Sequence, residues 1–274
     1  DKDGVKMSKH KGNVVDPWDV LNRQGADAVR WYFYANGAPW LPSRFSHELV
    51  SEMQRKFMGT LWNTYAFFVT YANLDGWTPQ GSGVDAPSLI VDPRTLTPID
   101  RWALARLNAL VRDVTEKFDN YDIHSPAKAI ESFVEELSNW YVRRSRRRFW
   151  KSEADADKIA AYLTLNECLV TLGELLAPFM PFLSEEPYQN LVAERSPDVP
   201  ESVHLVDWPV ADEALIDEDL SFRMGVARQV VNQGRAARNA AQIKTRQPIE
   251  VAVVAARPRE RAAVESLASV VAEE

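Results

Sequence analysis

Between Ser46 and Leu74 the apolar residues Met53, Phe57, Leu61, Tyr65, Phe68 and Ala72 recur every three or four positions, and no proline interrupts them. That period places them in one stripe along a helix of about eight turns, with Ser46 as its N-cap. A helix with one apolar stripe is stable only when the stripe is covered, so the chain needs partner helices. A second helix from about Pro98 carries Ile99, Ala103, Leu107, Leu110, Val114 and Tyr121 on one side. A third starts at Ser125-Pro126, an N-cap followed by proline at the first helical position, and carries Ile130, Phe133, Val134, Leu137 and Tyr141. The fourth uses Ile159, Tyr162, Leu163 and Val170, and Pro178 and Pro181 break the run before a short helix over about 182–194. Substantial helices on short links predict a mainly α fold built on an antiparallel helical bundle.

The flanks of the bundle read differently. Residues 1–45 form a connector: a basic loop with Gly12, a helix start at Asp16-Pro17, and two short helices parted by Gly25 and ended by Gly37, Pro39 and Pro42. Residues 46–195 hold the bundle, with the Gly- and Pro-rich stretch 75–97 as a surface loop. A polar linker with Pro197, Pro200 and Pro209 covers 196–216. Over 217–274 a last helix at about 217–242 is followed by Ile249–Val254, which has strand composition, and by a helix near Pro258, predicting the start of a small α+β unit. The Asp-Lys-Asp-Gly beginning and the Val-Ala-Glu-Glu end read as cuts within a longer chain.

Composition narrows the class. Hydrophobic residues make up 46% and charged residues 26%, and no unbroken apolar run approaches the roughly 18 residues of a membrane span. The lone cysteine, Cys168, reads as a small core residue of a protein from a reducing, cytoplasmic compartment. His47, His124 and His204 stand apart from one another and from Cys168, so the spacing supplies no metal site and no zinc site. A net charge of −7 argues against a surface that coats nucleic acid, and it throws weight on any local concentration of positive charge.

Two such concentrations stand out. In Val5-Lys6-Met7-Ser8-Lys9-His10-Lys11-Gly12-Asn13 three lysines, a hydroxyl and a glycine share one loop, with a helix N-terminus close behind. Ammonium groups, a hydroxyl and exposed backbone N–H groups suit a polyphosphate, and a solvated basic turn is the alternative. From Trp140 to Lys151 there are six basic residues and no acidic one. Arg143, Arg144, Arg147, Arg148 and Lys151 fall within an arc of about 140° if the helix is regular. Such a face suits RNA phosphates with Trp140 and Trp150 available to stack on bases, or else it pairs with carboxylates such as Glu131, Glu135 and Glu136. A weaker third concentration runs from Arg223 to Arg246, with Arg228, Arg235, Arg238 and Arg246 on one face, open to the same two readings.

The text of these segments is more specific than their charge. Lys6-Met7-Ser8-Lys9-His10 with Lys11-Gly12-Asn13 and Asp16-Pro17 resembles the KMSKS loop of class Ia aminoacyl-tRNA synthetases, with His10 where the family has its final serine. The string from Trp140 to Trp150 is similar to a stretch of isoleucyl-tRNA synthetases, as are Leu61-Trp62-Asn63-Thr64, Ser202 to Pro209, and Arg235 to Pro248.

The resemblance implies that the bundle is an anticodon-binding domain following the end of a catalytic domain. It further implies that Lys9 and Lys6 are catalytic, and that Lys6, Met7, Ser8 and Lys9 bind ATP, which would arrive with Mg2+. The partners it implies are tRNA(Ile), contacted by Arg143, Arg144, Arg147, Arg148, Lys151, Arg228, Arg235 and Arg238, and isoleucine, whose pocket lies upstream in the family. The isolated chain is then expected to have no aminoacylation activity. A valyl, leucyl or methionyl enzyme, a stand-alone tRNA-binding module and a helical interaction protein without an RNA role remain the competing readings.

Overall fold

Asp16 ends the basic loop by accepting a hydrogen bond from the Trp18 N–H, and Pro17 occupies the first helical position, so α1 (Pro17–Gln24) starts where the sequence predicts. Gly25, at φ 83°, turns the chain into α2 (Ala26–Ala35). The structure, a computed structural model, describes residues 1–79, 96–195, 198–244 and 247–274. They form two units, Asp1–Glu213 and Ala214–Glu274.

In the first unit the long striped helix is present with one irregularity. Ser46 caps α3 (His47–Met53), a π-helical turn covers Gln54–Met58, and α4 (Gly59–Asp75) carries on to Gly76. Phe57, Leu61, Tyr65, Phe68 and Ala72 are all buried. Then come α5 (Pro98–Asp119), opened by a reciprocal capping box of Thr97 and Asp100, and α6 (His124–Glu136). A second π-helical turn, Leu137–Val142, leads directly into α7 (Arg143–Trp150). The bundle is completed by α8 (Ala156–Leu176), which packs on α4, α5 and α7, and by α9 (Pro181–Leu191). By length and composition α8 is apolar enough to cross a membrane, yet 72% of its apolar window is buried inside the protein. Cys168 lies in it, fully buried.

The connector is tied to the bundle through one face of α2. Asp27 accepts the Leu183 N–H at 2.6 Å, at the start of α9, while Arg30 donates to the carbonyls of Pro178 and Phe179 at 2.6 and 2.9 Å, just past the end of α8. One carboxylate and one guanidinium, a turn apart, thus satisfy backbone groups that two helix ends leave unpaired. Next to Arg30 along α2, the buried Trp31 stacks on Phe57 with ring centroids 3.9 Å apart.

The second unit contains α10 (Glu218–Ala240), capped by Asp217, then α11 (Pro258–Ser266) and α12 (Ala268–Ala272).

Several expectations need correction. Ile249–Val254 forms no strand, and no strand occurs among the described residues, so the α+β unit is not seen. Strand composition is not enough, because an extended segment needs a neighbour to take its N–H and C=O groups, and this one is exposed. Tyr121 is not on the buried face of α5; it lies beyond the helix end at φ 57° and is 92% exposed. Ser125 does not cap α6, since Asp122 accepts the N–H groups of His124 and Ser125 instead. Of the expected surface loop, residues 80–95 lie outside the described residues, as does Arg246.

Candidate functional site

The lysine loop is shaped by Asn13. Its carboxamide oxygen accepts the Ser8 N–H at 2.9 Å, and its nitrogen donates to the Lys6 carbonyl at 3.3 Å and to Asp1 Oδ2 at 2.9 Å. A single 3-10 turn over Lys9–Lys11 follows and closes on Gly12 at φ 64°. No atom would lie within 4 Å of a Cβ at Gly12, so the glycine is required by backbone conformation alone. Lys6, Lys9 and Lys11 are exposed, Met7 and Ser8 half-buried. Among the described residues no carboxylate pairs with the three lysines and no hydrogen bond occupies the Ser8 hydroxyl. The loop therefore offers three ammonium groups and one hydroxyl from a backbone pinned by a side chain, an arrangement that can bind phosphate oxygens. The sequence motif located the lysines but not the task of Asn13.

The arginine helix is only partly a surface. Ser145 and Phe149 are the buried stripe of α7, with Phe149 packed edge-on to Tyr162 at 4.9 Å. Arg148 lies at the edge of that stripe and turns inward. Its guanidinium donates to both oxygens of Asp100, at 2.7 and 2.8 Å, and to the Asp157 carbonyl at 2.8 Å, and its Nε lies 2.8 Å from Asp157 Oδ1. Asp100 has no exposure and also accepts the Tyr141 hydroxyl at 2.8 Å and the Thr97 hydroxyl at 2.6 Å. Burial is the largest single influence on Arg148 and opposes its charge, but the hydrogen bonds to Asp100 together with the electrostatic pull of Tyr141, Asp100 and Asp157 outweigh it and hold the guanidinium cationic; burial and then Asp100 push the Tyr141 phenol up. Lys151 has left the helix, with extended backbone, and pairs with Asp155 at 2.6 Å and Asp157 at 2.9 Å. Arg148 is thus an internal cation and Lys151 a half-buried one neutralised by two carboxylates, and the predicted 140° arc does not exist as one surface.

A narrower face replaces it. Arg143, Arg146, Arg147 and Trp150 sit at spacings of three, four and seven, within about 100° of one another and on the side of the helix away from the buried Ser145. Arg146 and Arg147 are exposed, Trp150 is 57% exposed, and Arg143 is half-buried. Arg146 was missed in the sequence, although the position of Phe149 alone sets which side of α7 faces in. Trp140 is buried rather than available to bases; the guanidinium groups of Arg143 and Arg144 lie 5.8 and 5.1 Å from its ring centroid, so it props the arginines from beneath.

On α10, in the second unit, Arg235 is ion-paired with Glu274, and Arg238 donates to the Gln247 carbonyl at 2.7 Å and more weakly to that of Lys244. Both close the C-terminal part of their own unit. Arg228 instead lines an open depression on the helix together with Gly225, Gln229, Asn232, Gln233 and Ala236. Among the described residues no group of three or more His, Cys, Asp or Glu side chains is placed to hold a metal ion.

Comparison with known proteins matches two families to the chain. Residues 100–253, more than half of it, match the family described as the anticodon-binding domain of tRNA ligase, and residues 1–39 match the class I tRNA synthetases for I, L, M and V. The isoleucine–tRNA ligase of Dehalococcoides mccartyi (strain ATCC BAA-2266) is 52% identical over all of this chain and 26% of the relative, and that of Thermus thermophilus is 48% identical over the same shares. The isoleucine–tRNA ligase of Clostridium acetobutylicum is 51% identical over 91% of this chain and 23% of the relative. The chain therefore spans about a quarter of the length of these relatives. Among solved structures, the LeuRS of Agrobacterium radiobacter K84, in a ternary complex with tRNA and LeuAMS, matches 79% of this chain and 23% of its own with a TM-score of 0.58 at 23% identity, a likeness of fold alone. With α5 to α9 of its helical bundle in the region that the first family covers and its lysine loop inside the region that the second covers, the chain belongs to the class I tRNA ligases and carries their anticodon-binding domain.

Proposed function

We propose that this chain is the tRNA-facing segment of an isoleucine–tRNA ligase, an enzyme that activates isoleucine with ATP and transfers it to tRNA(Ile) in the cytoplasm. The observation that carries the reading is the face of α7 on which the exposed Arg146, Arg147 and Trp150 stand beside the half-buried Arg143, a local concentration of positive charge in a chain of net charge −7. Guanidinium forks suit backbone phosphates, and the exposed indole offers a stacking surface for an unpaired base.

In the first step the isoleucine carboxylate attacks the α-phosphorus of ATP, forming the adenylate and releasing pyrophosphate. Lys9, with Lys6 beside it, would neutralise the charge that grows on the departing pyrophosphate, and Ser8 and Met7 would shape the loop against ATP; the nucleotide enters as its Mg2+ complex. Electrostatic stabilisation of this kind accelerates the reaction only where it is stronger in the transition state than in the ground state, which suits side chains on a loop that can close. On this reading residues 1–45 end the catalytic domain, 46–195 are the anticodon-binding bundle, 196–216 link, and 217–274 begin the following domain. The identities of about 50% to isoleucine enzymes support isoleucine over valine, leucine or methionine.

The test is titration of tRNA(Ile) against the 274-residue chain at increasing salt. Affinity that falls linearly on a log–log plot, with the slope reduced by about one for each arginine removed from the α7 face, supports the reading. Absence of binding at low salt contradicts it.

A further inference from the structure

The outward stripe of α10 differs from the α7 face in chemistry. Gly225, Arg228, Gln229, Asn232, Gln233 and Ala236 recur at helical spacing and line an open depression of about 440 Å³. Over its length of about 16 Å the stripe carries three exposed carboxamides that hold no hydrogen bond among the described residues. From Leu220 to Ile249 the sequence has no acidic residue, so nothing on the helix beyond its first turn repels a polyanion. Two of the arginines expected to grip phosphates, Arg235 and Arg238, are engaged within the unit.

Gly225 adds an independent observation. A glycine inside a helix costs about 1 kcal/mol relative to alanine. A Cβ there would meet nothing within 4 Å, so no packing within the protein requires the glycine.

We propose that this stripe docks in the minor groove of an A-form RNA stem, its carboxamides hydrogen-bonded to ribose 2′-hydroxyls. The inference rests on the tRNA reading above and deepens it. The minor groove of A-form RNA is wide and shallow and presents 2′-hydroxyls, each of which donates and accepts. A carboxamide also donates and accepts, and it carries no charge, so it matches a hydroxyl better than a phosphate. Gly225 and Ala236 keep the stripe low enough for the helix to lie along the groove.

Two variants of the 274-residue chain, Gly225→Leu and the triple Gln229→Ala/Asn232→Ala/Gln233→Ala, are titrated against a tRNA(Ile) transcript and against the same molecule with 2′-deoxy nucleotides throughout its stems. Gly225→Leu is expected to melt at a higher temperature than the parent yet bind the transcript about tenfold more weakly, and the triple variant to bind more weakly by a similar factor. Neither changes the salt slope, because no phosphate contact is lost. On the 2′-deoxy molecule the parent falls to the level of the variants. Variants that bind the transcript like the parent, or that weaken binding equally on the 2′-deoxy molecule, overturn the proposal while leaving the tRNA reading intact. A parent chain that binds neither molecule overturns both.

Discussion

Arg148 clamps Asp100 from 48 residues away in sequence, with both carboxylate oxygens held at 2.7 and 2.8 Å and the carboxylate wholly out of water. The pair joins the start of α5 to the end of α7 and recruits Tyr141 and Asp157. Removing one partner of a buried pair strands the other, at a cost of about 3–5 kcal/mol. Arg148→Met is therefore expected to lower the unfolding free energy by that order, measured by urea denaturation, whereas exposed Arg147→Ala shifts it by less than about 0.5 kcal/mol.

A second prediction concerns pH. Burial, reinforced by the neighbouring Glu167, lifts the Glu174 carboxyl to about 7, well above its ordinary value. The folded protein thus holds this proton more tightly than the unfolded chain does. Its contribution to stability is complete below about pH 4.5 and is lost as pH rises to about 7. Glu174→Gln should flatten the fall in melting temperature between pH 5 and pH 8 and raise stability at pH 8 by on the order of 2 kcal/mol. An unchanged pH profile contradicts the burial argument.

At the junction of connector and bundle, Arg30→Ala leaves the Pro178 and Phe179 carbonyls without their charged donor. A loss of about 1–3 kcal/mol is expected by chemical denaturation. Arg30→Lys should recover only part of it, because an ammonium cannot reproduce the geometry with which one planar guanidinium reaches two carbonyls.

Much of the fold was legible because helical period and capping are local. Ser46, Asp16 and most of the apolar stripe positions of α4, α5 and α6, Tyr121 excepted, do what their spacing predicts. What failed depended on partners distant in sequence. Arg148 and Arg147 are neighbours with the same side chain, and it is Asp100 and Asp157, on other helices, that hold one of them inside while the other stays in water. Arg235 is likewise claimed by Glu274, and Ile249–Val254 lacks the neighbour a strand requires. The π-helical turn at Leu137–Val142 also breaks any arc drawn on a regular helix across it. The basic loop was fully legible as a motif, but its shape depends on Asn13, whose carboxamide reaches back across five residues.

On the proposed function, ATP is engaged through Lys9 and tRNA through the α7 face, two separate groups of one chain. In the complete ligase, Lys9→Ala and Arg147→Glu should separate these roles when pyrophosphate exchange and tRNA affinity are measured side by side. Lys9→Ala is expected to lower exchange by about 10²–10³ with tRNA affinity unchanged, and Arg147→Glu to weaken tRNA binding with exchange unchanged. An Arg147→Glu enzyme that binds tRNA normally but no longer forms adenylate would contradict this separation of roles.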